Sequence, residues 1–336
     1  MAVPPTIRTN HDLELSVETT DAWIVERTGI RERRIAGPTE TTFTLGRDAA
    51  IQAMAKAGVT GADVDLVIVT TITPEFSFPA TASLIQHAIG ANRAGAFDLN
   101  AGCTGFVYGM AVARGMIESS IHRTVLLVGS DTLSRVLDWT DRSTCVLFGD
   151  GAGAVVMQAS ESGGVLGVTL GSDGSGAELL CLPAGGSRNP ATDATIREGQ
   201  HFLKMNGREV YRFAVNVMVR AAREACEMAG FAPSDVDLFI PHQANIRIIR
   251  SAADSLGVPD DRVFTNVDRY GNTSAGSVPI ALCEAIQEGR LKPGDKLVLV
   301  GFGAGLTWAG VAMEWTAPLQ PLAPAELAVA AASARR

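Results

Sequence analysis

No basic tract of five or more residues occurs in this chain of 336 residues, and its net charge is −8, so a nucleic-acid surface is excluded as its main binding feature. Cysteine is sparse. Its five copies (Cys103, Cys145, Cys181, Cys226, Cys283) form no CxxC pair and no regular spacing, which argues against a zinc site or a disulfide framework and fits a reducing cytoplasm. No run of eighteen uninterrupted apolar residues is present, so no membrane-spanning helix is expected. Met1-Ala2-Val3-Pro4-Pro5 has no charged segment leading into an apolar one, and no signal peptide is expected. Charged residues make up only 19% against 46% hydrophobic, a globular balance rather than a disordered one. Glycine is abundant: 35 copies imply many tight turns or close backbone contacts.

The chain repeats itself. Asp63-Val64-Asp65-Leu66 recurs as Asp235-Val236-Asp237-Leu238. Val125-Leu126-Leu127-Val128-Gly129 matches Leu297-Val298-Leu299-Val300-Gly301, displaced along the chain by the same amount. Two matches at one offset, close to half the chain, point to duplication. Each half predicts an amphipathic helix (Thr44–Lys56; Val210–Met228) and then a strand (Leu66–Thr71; Leu238–Pro241). A strand, turn and helix follow (Ala96–Asn100 then Gly105–Ile117; Val263–Val267 then Ala275–Gln287). The run at 125–129 or 297–301 comes next, then a Gly-rich turn and a last strand (Ala154–Gln158; Ala309–Trp315). Such alternation implies mainly parallel, buried sheets covered by helices, an α/β fold built from two halves. The boundaries read as 1–160 for the first half, 161–209 for an inserted Gly-, Ser- and Pro-rich loop region, 210–316 for the second half and 317–336 for a flexible tail with a helical pattern over Ala325–Ala332.

Cys103 lies among small residues at a strand–turn–helix junction, Asn100-Ala101-Gly102-Cys103-Thr104-Gly105-Phe106. A thiol at a helix N-terminus gains from the positive end of the dipole, small neighbours admit a substrate carbonyl, and its own N–H can face a developing oxyanion. The other four cysteines read as small buried hydrophobes. His242 directly follows the strand Leu238–Pro241, at the carboxyl end of a parallel sheet where ligands bind. Asn272, in Tyr270-Gly271-Asn272-Thr273-Ser274-Ala275-Gly276, reads alone as a helix cap, but the repeat offset makes it the counterpart of Asn100. Equivalent turns of the two halves thus bring three polar groups toward one place. The clusters Gly149–Gly153 and Gly301–Gly305 are followed by strand-like runs rather than helices, so they do not read as dinucleotide fingerprints.

The stretches around Cys103, Pro241-His242-Gln243-Ala244-Asn245, Gly271–Ser277, Phe148–Ala154 and Asp21–Arg31 together resemble the initiating condensing enzymes of type II fatty acid synthesis, the β-ketoacyl-acyl-carrier-protein synthase III family. The motifs keep the family's order from about Ile7 to Trp315. The resemblance implies a thiolase-like five-layered αβαβα fold from two duplicated halves, working as a homodimer. It implies Cys103 as the acyl-accepting nucleophile, with His242 and Asn272 activating the malonyl thioester and stabilising the enolate. The backbone N–H groups of Cys103 and Ala304 would form the other oxyanion hole. Trp23 and Arg142 match the pair that sandwiches the adenine of coenzyme A, and Arg27, Gly207, Asn245 and Arg247 match positions along the pantetheine tunnel. No metal or further cofactor is implied beyond the coenzyme A thioester, which is substrate. Acyl-CoA and malonyl-acyl carrier protein are the implied partners, with no nucleic acid or membrane among them.

This chain departs from the family in two places. The family's opening strand, about ten residues, has no match before Pro4, and a central strand missing from the first half would be costly unless replaced. Its copy in the second half is expected within 165–172. Where the family places carrier-docking lysines this chain has Asp254 and Ser255, leaving Arg247 and Arg250. Phe78 matches a position entering the partner's acyl pocket, which implies primers of about two to five carbons. Rival readings are a relative that starts a polyketide or acylates a hydroxyl or amine, a hydroxymethylglutaryl-CoA synthase or thiolase, and a non-catalytic partner subunit. The last typically loses its nucleophile, and this chain keeps Cys103.

Overall fold

Along each long apolar run, alternate side chains enter different layers, and that alternation builds the molecule. The computed structural model describes residues 1–317, so the tail and its expected helix lie, apart from Ala317, outside the described residues. Two short strands, β1 (Ile7–Thr9) and β2 (Glu32–Arg34), pair antiparallel ahead of the main sheets. The first half's sheet contains β3 (Leu66–Thr70), β4 (Gly95–Leu99), β5 (Thr124–Thr132) and β6 (Asp150–Gln158), in the order β4-β3-β5-β6. After β7 (Gly164–Ser172) comes a small ladder of β8 (Leu180–Cys181) and β9 (Lys204–Met205). The second sheet adds β10 (Leu238–Pro241), β11 (Lys296–Gly303) and β12 (Thr307–Glu314), in the order β10-β11-β12-β7.

Val67, Val69, Leu126 and Val128 pack outward against Leu45, Ala49 and Met54 of the helix Thr42–Ala57. Their neighbours Leu66, Ile68, Val125 and Leu127 point inward. There they share a core with Phe106, Val107 and Met110 of the helix Gly105–Glu118, with Val278 and Ala281 of the helix Ser277–Gln287, and with Leu238, Ile240, Leu297 and Leu299 from the other sheet. Phe239, Val298 and Val300 face outward onto the helix Gly207–Ala229. The result is five layers, helix–sheet–helix–sheet–helix, held by three apolar clusters, the middle one shared by both sheets and the helices between them. Each fully buried large side chain contributes about 1.5–3 kcal/mol.

The halves agree in detail. Leu66 pairs with Val125 in parallel, and their repeat counterparts Leu238 and Leu297 pair in the same way. Gly58 and Gly230, also counterparts, each end a helix in the left-handed region at φ 66° and 79°.

Three expectations need correction. The strand expected over Val263–Val267 is a single bridge from Val263 to Phe239, and Val267–Tyr270 turns into a helix. Gln243 takes the place of a longer ladder, its amide donating to Phe264 O at 3.2 Å and accepting from Asn266 N at 2.9 Å. The stretch 161–209 is not merely an inserted loop, because β7 lies within it and pairs along β12. Finally, β7 is indeed the second half's copy of an opening strand, but it sits at the edge of its sheet with β12 as its neighbour. The corresponding place in the first half is therefore an edge and not a centre. There Ala2 exchanges two hydrogen bonds of 2.8 Å with Ala152.

Candidate active site

Cys103 sits in the turn between β4 and the helix Gly105–Glu118 and is only 5% exposed. Gly102 before it has φ 59°, and a side chain there would strike the backbone of Ala304 at 2.7–2.8 Å. A side chain on Gly303 would in turn meet Cys103 N at 2.5 Å. The two turns, 100–105 and 301–305, therefore pack backbone against backbone, which bare glycines allow. This places the amide of Ala304 beside the nucleophile turn, where the family resemblance implies an oxyanion donor.

His242 leaves the end of β10, with its N–H donating to Val300 O at 2.7 Å. It is buried, and its ring meets Phe302 edge-on at 5.1 Å. Nδ1 lies 2.5 Å from Ser277 Oγ, and that oxygen also accepts from Gln243 N at 3.3 Å. Ser277 Oγ can donate its own hydrogen to Nδ1, and in that arrangement the imidazole carries its hydrogen on Nε2. Burial pushes the His242 pKa down to about 3, so the ring is a neutral donor at physiological pH.

Asn272 is fixed by its backbone, donating to Leu147 O at 2.8 Å and accepting from Gly149 N at 3.0 Å. Its Oδ1 accepts from Ser274 N at 2.9 Å, which commits the amide oxygen and leaves Nδ2 as a donor. Behind it the buried Glu284 gathers Asn266 Nδ2, Arg269 Nη2 and the Tyr270 hydroxyl, at 2.8, 3.0 and 2.5 Å, which braces the turn. Burial raises the Cys103 thiol to about 12, above the ordinary thiol value.

One cavity of about 220 Å³ joins these groups: Cys103, His242, Asn272, Phe302 and Gly303 at its base, Arg27, Gly207 and Asn245 toward its mouth. Asn245 caps the helix Ile246–Leu256 and donates to Arg27 O at 3.0 Å. Trp23 is flanked by Arg142 at 5.0 Å and by Arg27 at 5.6 Å from its ring centre. Arg247 is exposed on the helix surface over Tyr211, and Arg250 is exposed beyond it. A second cavity of about 230 Å³ runs from Cys103 and Ala304 past Ile72, Leu133, Leu180 and Leu203 to Leu182, and is largely apolar. Phe78 lines neither cavity of its own chain; it stands 87% exposed on the loop before Pro79. No group of three or more metal-ligating side chains occurs among the described residues.

Ser277, Gln243, Ser274 and Asp131 escaped the residue-by-residue reading. Ser274 and Ser277 lie inside the asparagine motif, but nothing in their spacing shows which atoms they reach. The glycine clusters are packing devices: side chains at Gly151 and Gly153 would strike Ile280 and Pro279 of the helix above β6 at 2.7–2.8 Å.

A duplicated five-layer fold with a buried thiol between its halves defines a thiolase-like protein. Two family models match, 3-oxoacyl-[acyl-carrier-protein (ACP)] synthase III over residues 97–174 and its C-terminal counterpart over 226–315. The chain is 53% identical over 318 residues to the beta-ketoacyl-[acyl-carrier-protein] synthase III of Roseiflexus sp. (strain RS-1), covering 94% of this chain and 97% of that one. The crystal structure of 3-oxoacyl-[acyl-carrier-protein] synthase III from Aquifex aeolicus VF5 superposes with a TM-score of 0.86 at 43% identity, covering 94% and 97%. The priming beta-ketosynthase from the R1128 polyketide biosynthetic pathway matches at 39% identity and a TM-score of 0.87, covering 94% of each chain. This chain belongs to the β-ketoacyl-acyl-carrier-protein synthase III family.

Proposed function

We propose that this chain joins a short acyl-CoA primer to malonyl-acyl carrier protein with loss of carbon dioxide, giving 3-ketoacyl-acyl carrier protein and so initiating fatty acid synthesis. The observation that carries the proposal is the cavity uniting Cys103, His242 and Asn272 with the mouth residues Arg27, Gly207 and Asn245. Cys103 Sγ attacks the thioester carbon, the bond to the coenzyme A sulfur breaks, and the oxyanion is met by the N–H groups of Cys103 and Ala304. The malonyl thioester then takes the emptied tunnel. As carbon dioxide leaves, charge grows on the thioester oxygen, where His242 Nε2–H and Asn272 Nδ2–H donate. The enolate carbon attacks the acyl-cysteine carbonyl carbon, the bond from that carbon to Cys103 Sγ breaks, and the released thiolate takes a proton from water.

The same reading gives the remaining parts their work. Trp23 and Arg142 hold the adenine of coenzyme A, and Arg247 with Arg250 meets the acidic carrier. The apolar cavity beside Cys103 takes the acyl chain, and Phe78 of one subunit closes that of its partner in a homodimer, which selects primers of about two to five carbons. The reaction calls on no metal or further cofactor, and it runs in the cytoplasm. Start of a polyketide, or transfer to a hydroxyl or amine, is less well supported, since identity to the fatty-acid relatives is higher. The test is the intact mass of the protein after mixing with acetyl-, isobutyryl- and dodecanoyl-CoA, followed by malonyl-carrier. The expected result is one acyl group per chain from the short primers, discharged as 3-ketoacyl-carrier with carbon dioxide. Equal loading by the twelve-carbon chain refutes the primer assignment, and an ester or amide product refutes the condensation.

A further inference from the structure

The turn that carries Asn272 is held in a way the first half does not use. There the approach to the equivalent turn is a ladder, β4 on β3 from Gly95 to Leu99. In the second half the ladder shrinks to the bridge between Val263 and Phe239, and side chains take over. Gln243 donates through Nε2 to Pro241 O at 2.7 Å and to Phe264 O at 3.2 Å, and its Oε1 accepts from Asn266 N. Asn266 Nδ2 in turn donates to Glu284 Oε2, which also accepts from Arg269 Nη2, while Glu284 Oε1 accepts from the Tyr270 hydroxyl. Gln243, Asn266, Tyr270 and Glu284 are all buried. At the repeat offset the first half has Ala94 for Asn266 and Val112 for Glu284, and Val112 packs against the apolar cluster between the sheets. The layers thus stand with a valine in the place of Glu284, so a carboxylate buried there among three donors answers some other need.

The two ends of this chain of bonds lie beside two different side chains of the site. At one end Gln243 N donates to Ser277 Oγ at 3.3 Å, the oxygen that also meets His242 Nδ1. At the other end Tyr270 stands two residues before Asn272, whose backbone is docked between Leu147 and Gly149. Gly271 between them has φ 63°, a bend that makes the position of Asn272 depend on where Tyr270 is held.

From these contacts, and resting on the condensation reading above, we infer that Glu284 is a positioning residue for malonyl decarboxylation. Through Tyr270 and Asn266 it fixes the place of Asn272 Nδ2 relative to His242 Nε2. Glu284 itself lines neither cavity beside Cys103, so it acts only through the residues it holds. An enolate oxygen met by two donors is sensitive to their separation, and a misplacement of about 1 Å can cost about a hundredfold in rate. The N–H groups of Cys103 and Ala304 take no part in these bonds, so acyl loading does not draw on them.

Tyr270→Phe, Glu284→Ala and Glu284→Gln separate this role from a general structural one. Single-turnover loading of Cys103 by acetyl-CoA and steady-state decarboxylation of malonyl-carrier are measured on each, with melting temperature alongside. Tyr270→Phe takes away one hydroxyl and keeps the ring, so it should melt close to wild type while the kcat of decarboxylation falls about tenfold. Its KM for malonyl-carrier and its rate of acyl loading should stay within about twofold of wild type. Glu284→Ala should lose more. Glu284→Gln keeps an acceptor for Asn266 and Arg269 and should recover most of that loss; if the alanine variant fails to fold, Tyr270→Phe still decides. Decarboxylation by Tyr270→Phe at the wild-type rate overturns the role, and so does a loss shared equally by loading and decarboxylation. A wild-type protein that neither loads Cys103 nor releases carbon dioxide would overturn the condensation reading instead, and the positioning role with it.

Discussion

At the turn before a buried helix the first half carries Cys103; at the equivalent place the second half carries Ala275. Near its end β5 holds Asp131, and at the matching position β11 ends on Gly303. Asp131 ties down the N–H of Ala275, whereas Gly303 lies bare against the N–H of Cys103. The opposite asymmetry holds where β3 and β10 finish: Thr70 bonds Val128 O, and His242 faces the cavity. Between their last two strands the halves also differ. Gly301 pairs with Ala309 across a tight turn, while Gly129 pairs with Gly153 across an excursion that supplies Leu133, Val136, Ser143 and Phe148 to the cavities and their mouth. Under the proposed function, one backbone plan carries two chemistries: the first half holds the acyl group and the second handles the malonyl group.

The sharpest way to break this division is to remove one side of it. Cys103→Ala should abolish acyl labelling, a loss of at least about a thousandfold in condensation. His242→Ala and Asn272→Ala should remain labelled at Cys103 yet lose condensation to a similar degree, because the donors act only when the enolate forms. Intact mass after acetyl-CoA, together with carbon dioxide release from malonyl-carrier, reads both outcomes. Normal decarboxylation by His242→Ala would end the division of labour.

A second prediction tests the packing of each half on the other's turn. A methyl group at Gly129 would collide with the carbonyl oxygen of Ala275, which is backbone and cannot swing away. At the equivalent Gly301 it would meet Thr104 at 3.1–3.2 Å. Overpacking typically costs about 1–3 kcal/mol, so Gly129→Ala should stand at or above the top of that range and Gly301→Ala near its bottom. Urea unfolding compares them, and equal midpoints would show that the two turns are equally tolerant.

The duplication, most of the succession of elements along each half and the residues that converge were legible in the sequence. Continuous apolar runs and a repeated Asp-x-Asp-Leu carry that information locally. The 263–267 segment misled because its apolar pattern says strand, while Gln243, far earlier in the chain, takes up its backbone groups. The edge position of β7 was hidden for a related reason: pairing partners are set by which strands return antiparallel, and the sequence of β7 alone does not show that. Side-chain partners such as Ser277 were out of reach because a hydroxyl's target depends on the turn that aims it.

Ser277 offers a milder test of how the second half sets its donor. Ser277→Ala removes the contact that holds His242 Nδ1 as an acceptor, so the imidazole can take the other tautomer. Decarboxylation should fall about tenfold, with acyl loading by Cys103 unchanged within about twofold. A variant that condenses at the wild-type rate would show that the ring needs no such partner.

The smallest expected effect concerns pH and again separates the halves. Because burial holds His242 at a pKa near 3, malonyl decarboxylation should show no step near pH 6.5, the value of an ordinary imidazole. The same burial has a consequence for stability with a definite sign. The depressed folded value means that the unfolded chain binds the proton first, so stability from this group is complete above about pH 6.5 and declines as pH falls toward 3. The slope is about 1.4 kcal/mol per pH unit within that window. Asp131 and Asp150 of the first half, whose carboxyls burial raises, act with the opposite sign on acidification, because the folded protein takes up their protons first. Comparing wild type with His242→Gln cancels those carboxylates. Urea midpoints between pH 4 and 8 should show the wild-type protein losing more on acidification than the variant, and parallel curves would place His242 in a wetter, more easily protonated setting than its burial indicates.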